Sequence, residues 1–140
     1  MLKHMKKDNS LGMVGPVTNA TGNESKINID YKDMPQMRKF AWDYTQKHLN
    51  EEYRDIRMLA MFCVMFPREI YEKVGKLDEN FGVGMFEDDD YSMSIKNLGY
   101  NLTVVEDSYV HHYGSESFKK INDEKRLKMF NDNRKYYEEK

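Results

Sequence analysis

Residues 58–66, Met-Leu-Ala-Met-Phe-Cys-Val-Met-Phe, form an unbroken apolar run closed by Pro67. At nine residues the run is far shorter than the roughly 20 needed to cross a bilayer. Without polar alternation it suits a strand covered on both faces. The expectation is a central strand, and a fold whose remaining elements must cover both of its sides.

The flanking sequence supplies such elements. Residues 12–17, Gly-Met-Val-Gly-Pro-Val, read as a strand end, and residues 18–32 are rich in Asn, Thr, Gly and Ser with little periodicity, as in an exposed loop. Asp33-Met34-Pro35 starts a helix with Met37, Phe40, Ala41 and Tyr44 on one core-facing stripe. Pro67 opens a second helix over 67–74, which Gly75 ends. A loop carrying Gly82 and Gly84 leads to Glu87-Asp88-Asp89-Asp90, and from Asp90 the chain turns helical, with Tyr91, Ile95 and Leu98 on one face and Gly99 as the stop. Residues 101–106 read as another strand, and residues 117–137 as a terminal helix that places Leu127, Phe130 and Tyr137 against the domain. Strands alternating with helices predict an α/β domain, a mixed sheet flanked by helices, within a single unit of 140 residues.

Composition narrows the function. A formal charge of -2 offers no field to gather nucleic acid or an anionic membrane. Cys63 is the sole cysteine, which excludes a disulfide framework and a thiolate metal site and suits a reducing compartment. With no signal-peptide core at the N-terminus, the expectation is a cytoplasmic protein.

Chemistry concentrates in two places. Four adjacent carboxylates, Glu87 to Asp90, repel one another unless a helix N-terminus, a cation or solvent offsets the repulsion. They are either helix-capping groups or the seat of a general base on a glycine-flanked loop. The second place is His111-His112, directly after a strand, where alternation sends the two rings to opposite sides. One of them is a metal ligand, or it hydrogen-bonds a neighbouring carboxylate or backbone group.

The succession Gly75-Lys76-Leu77-Asp78-Glu79, Gly84-Met85-Phe86-Glu87-Asp88-Asp89-Asp90, Gly99-Tyr100 and His112-Tyr113-Gly114 resembles the C-terminal, acceptor-side half of family 2 glycosyltransferases of the GT-A type. Met13-Val14-Gly15-Pro16-Val17-Thr18-Asn19 resembles the strand and loop that follow the nucleotide-binding half in that family. The resemblance implies a partial GT-A fold and inverting transfer of a sugar from a nucleotide-sugar donor to a saccharide or other hydroxyl acceptor. Asp88 would be the general base and Glu87 would position the acceptor. Gly82, Gly84 and Asp89 would contact substrate. His112, with His111 as the alternative, would hold a divalent cation, Mn or Mg, on the donor diphosphate.

The family's Asp-x-Asp motif has no counterpart ahead of Gly12, and Ser94 and Met61 stand where many relatives carry arginine and glycine. The half that binds most of the nucleotide is therefore expected to be absent, and exposed sheet edges would favour a homo-oligomer or association with that half. Two other functions fit the residues less well. One is a non-catalytic carbohydrate- or partner-binding module derived from a glycosyltransferase, and the other a metal-dependent hydrolase.

Overall fold

A computed structural model describes residues 1–54, 56–114 and 121–140. The architecture is α/β: among the described residues, five α-helices and one 3-10 turn surround a three-stranded mixed sheet. In chain order the elements are α1 (Leu2–Lys7), β1 (Leu11–Thr18), α2 (Met34–Lys47), β2 (Glu52–Tyr53), α3 (Arg68–Val74), α4 (Glu87–Asn97), β3 (Asn101–Val110) and α5 (Asp123–Glu139). The sheet order is β1-β3-β2, with β1 and β3 parallel and β2 antiparallel to β3.

The central strand is β3, not the apolar run. Residues 58–66 are turns and extended loop, touching the sheet through one antiparallel bridge in which Val14 and Met65 exchange backbone hydrogen bonds of 2.9 and 2.8 Å. Met58 and Leu59 are buried all the same. Apolarity reports burial and carries no information on backbone pairing, and a short run without periodicity fits a buried loop as well as a strand. All eight residues of β1 are buried, whereas β2 at the other edge of the sheet is half-buried to exposed. Pro16, which has no N–H to give to a ladder, sits where the β1–β3 register shifts, and β3 extends to Val110 beyond the expected end at residue 106.

Two helices were legible from local signals. Asp33 caps α2 by accepting from the Gln36 N–H (2.8 Å), and Pro67 with Gly75 (φ 89) brackets α3. The stripe on α2 is not core, however: Phe40 and Tyr44 are only half-buried along β3, and α2 buries none of its residues completely. The polar N-terminus forms α1, whose His4 is buried and bonded to both Glu52 and Asp107. Helix α4 starts at Glu87, three residues before the expected Asp90, and buries Tyr91 and Ile95 but leaves Leu98 46% exposed.

The terminal helix begins at Asp123, and the first part of its expected span, residues 117–120, lies outside the described residues. It docks through part of the expected stripe: Phe130 and Tyr137 pack on Phe86, with ring centroids 5.2 and 5.8 Å away. Leu127 and Phe130 are 62% and 40% exposed, and its one buried residue is Asn133. No helix among the described residues is long and apolar enough to cross a membrane.

Candidate functional site

Strands β1 and β3 run parallel, and a cavity of about 1130 Å³ opens beyond their carboxyl ends, where open α/β sheets commonly bind ligands. It is lined by 19–22 after β1, Lys26, 60–62, Met85 with Glu87 and Asp88, and 110–114 at the end of β3. Glu87, Asp88, His111 and His112 all face this one cavity. The non-local fold thus joins the two places that the sequence singled out separately.

The acidic run is divided by its partners. Asp89 is buried and paired with Arg57, and Asp90 accepts from Lys140 Nζ at 2.9 Å. Asp89, expected among the substrate contacts, therefore lies off the cavity as half of an ion pair. Glu87 and Asp88 line the cavity and, among the described residues, have no ion-pair partner. Burial pushes the Asp88 carboxyl above its ordinary value, with the Arg57 charge opposing the rise. Burial also raises Glu87, and the Asp88 charge adds to the effect. Glu87 Oε2 is buried with no hydrogen-bond partner among the described residues. A general base working near neutral pH needs such an environment, one that lifts a carboxylate's proton affinity without a salt bridge to quench it.

The capping alternative holds in part. The N-cap of α4 is Phe86 in the left-handed region (φ 73), and it makes no side-chain cap bond. Glu87 to Asp90 occupy the first turn, where they gain from the helix dipole, and Asp88 Oδ1 accepts the first-turn N–H of Asp89 at 3.2 Å. Met85 (φ 74) shares the left-handed conformation, so two consecutive non-glycine residues hold strain of about 1–2 kcal/mol each beside the carboxylates. Gly82 (φ 64) and Gly84 (φ 139), expected to shape an acceptor pocket, do not line this cavity and instead turn the loop that delivers Met85 and Phe86.

The two histidines line the same cavity but have different ring partners. His111 Nδ1 meets the Tyr31 hydroxyl at 2.5 Å, and Tyr31 bonds Tyr109 in turn. His112 lies flat on Phe62, with centroids 4.4 Å apart and planes at 2°, and its Nδ1 donates to the Ala20 carbonyl at 2.7 Å. A neutral ring that donates from Nδ1 keeps its lone pair on Nε2, the tautomer a metal-binding histidine requires. That donor set fits a divalent cation only as one ligand among several. No group of three or more His, Cys, Asp or Glu able to hold a metal gathers among the described residues, so a bound diphosphate or another chain would supply the rest of the shell.

Several residues here escaped the sequence reading: Arg57, Phe62 as a stacking surface, Tyr31, Asn133, and Asn19 as a backbone clamp. None carries a local pattern, because each acts on a residue 32 or more positions away. Neither a comparison with protein-family models nor one with curated protein sequences finds a match.

Proposed function

We propose that this chain is the acceptor-side half of an inverting GT-A glycosyltransferase, carrying the general base for transfer of a sugar from a nucleotide-sugar donor to an acceptor hydroxyl. The observation that carries this is that one cavity is lined both by the Asp88 carboxylate, which has no ion-pair partner among the described residues and whose proton affinity burial raises, and by His112, whose Nδ1 donates to the Ala20 carbonyl. Asp88 takes the proton from the acceptor hydroxyl as its oxygen attacks the anomeric carbon, the bond to the diphosphate breaks, and configuration inverts. Glu87 holds the acceptor beside it. A divalent cation, Mn or Mg, would supply charge stabilisation to the leaving diphosphate, with His112 Nε2 as this chain's ligand to it.

The test is acceptor-dependent release of nucleoside diphosphate from UDP-sugars, measured with a nucleotide-binding half added as a second polypeptide if the chain alone is silent. Asp88→Asn should lower the rate by about 10²–10⁴ while leaving donor affinity unchanged. Equal rates in the two proteins would remove Asp88 as the base. Saccharide binding that is indifferent both to cation and to Asp88→Asn would instead mark a non-catalytic carbohydrate-binding module.

A further inference from the structure

Helix α5 holds one buried residue, and that residue is an amide. Asn133 is 7% exposed, and its Nδ2 donates to the carbonyls of Phe81 (2.8 Å), Gly84 (2.8 Å) and Met85 (3.1 Å). The apolar side chains of α5 are only partly covered, Leu127 remaining 62% and Phe130 40% exposed, so the one residue that the helix buries fully is polar. Three carbonyls converging on one nitrogen also fix its orientation, since the amide oxygen in that place would meet only acceptors.

We propose that Asn133 is a positioning residue of the cavity site: by gathering these three carbonyls it holds the loop 81–86 in its left-handed course and so sets where α4 begins and where Glu87 and Asp88 stand. This role rests on the assignment of Asp88 as the base, but it makes a mechanical claim of its own. Gly82, Gly84, Met85 and Phe86, four of the five residues from 82 to 86, have positive φ, and α4 starts at the next residue. A loop so disfavoured persists only where its surroundings over-determine it. Asn133 supplies that constraint from inside. From outside, Phe86 packs between Phe130 and Tyr137 (centroids 5.2 and 5.8 Å), and Lys140 Nζ bridges Asp78 (2.8 Å) and Asp90 (2.9 Å). Without the amide, Met85 relaxes out of its left-handed conformation, the Phe86 carbonyl turns, and the bond it accepts from the Asp90 N–H (2.9 Å) opens.

The experiment is NMR of the full chain, following Asp90 amide exchange and the Glu87 and Asp88 carboxyl carbons through a pH titration. It compares wild type, Asn133→Leu, and Asn133→Leu combined with Met85→Gly. In Asn133→Leu the Asp90 amide should exchange at least about tenfold faster while Val14 and Val104 in the core are unchanged, and both carboxyls should titrate closer to the ordinary carboxylate range. Adding Met85→Gly should restore a good part of both, because glycine takes positive φ without steric cost. If Asn133→Leu does not fold, Asn133→Ser, which keeps a shorter donor, is read in the same way for a smaller effect. A folded variant in which Asp90 exchange and both titrations match wild type overturns the proposal. So does an effect on Val14 and Val104 equal to that on Asp90, untouched by Met85→Gly, because it would make Asn133 a general stability residue. No transfer rate is read, so failure here leaves the Asp88 assignment standing, and absent transfer leaves this result interpretable.

Discussion

Asn19 brackets the backbone of His112, accepting its N–H at 2.8 Å through Oδ1 and donating from Nδ2 to its carbonyl at 3.0 Å. The pair mimics one rung of a sheet just past the point where β1 and β3 stop, and it carries their parallel pairing one residue further into the cavity wall. The histidine is thus set by the strands, with the Ala20 carbonyl and the Phe62 ring fixing its side chain.

Asn19→Ala should therefore cost about 1–3 kcal/mol, because two half-buried backbone groups lose their partners together. Chemical denaturation measures the loss. The His112 ring resonances should broaden or shift in the same variant, whereas those of His4, at the opposite end of β1, stay put.

Asp88→Asn should stabilise the fold at neutral pH by about 0.5–2 kcal/mol, as often happens when a residue kept for function is removed. The sign follows from burial, which raises the carboxyl's folded-state pKa. The stability that its proton brings is fully present below the ordinary value near 3.9 and is lost as pH rises through the raised folded value. The advantage of the variant should thus be largest near neutrality and vanish in acid, as thermal denaturation across that range will show.

Asp107 behaves in the opposite sense. Burial raises its carboxyl, but hydrogen bonds from Lys3 (2.6 Å), the Asn50 N–H (2.8 Å) and His4 (2.9 Å) outweigh that and hold it at about 2. Its contribution is fully present above the ordinary value near 3.9 and is lost as pH falls through about 2. Asp107→Asn should cost about 2–4 kcal/mol near pH 7, since it leaves buried His4 and Lys3 without their shared partner. The cost should shrink as urea denaturation is repeated towards about pH 2.

Gly12→Ala tests how tightly α4 is seated on β1. A Cβ at residue 12 would come within 2.4 Å of Ile95 Cγ2 and 2.6 Å of Tyr100 Cβ. The variant should lose about 1–3 kcal/mol by overpacking. Thermal unfolding reads it, and an unchanged midpoint would show that α4 shifts freely against the sheet.

What the sequence disclosed and what it withheld divide by distance along the chain. Asp33 and Gln36, or Pro67 and Gly75, settle a helix end within a few residues, and those helices are where the pattern puts them. The acidic run and the histidine pair were visible as residue types, and the fold brings them to one cavity. That Asp89 and Asp90 would be neutralised while Glu87 and Asp88 were not depends on Arg57 and Lys140, 32 and 50 positions away, and no periodicity encodes that. The run 58–66 misled for a related reason. Its burial was signalled in part, since Met58 and Leu59 are buried and residues 60–66 half-buried, but whether its backbone pairs was decided by β3, which takes the place beside β1.

The most direct test of the proposed site is calorimetric titration of the full chain with UDP and UDP-sugars, with and without manganese, in wild type and His112→Ala. Binding that requires manganese and is lost in His112→Ala is the expected result if this chain holds a working part of a nucleotide-sugar site. Binding that is the same with or without the metal and survives His112→Ala would contradict a cation-assisted donor site at the ends of β1 and β3.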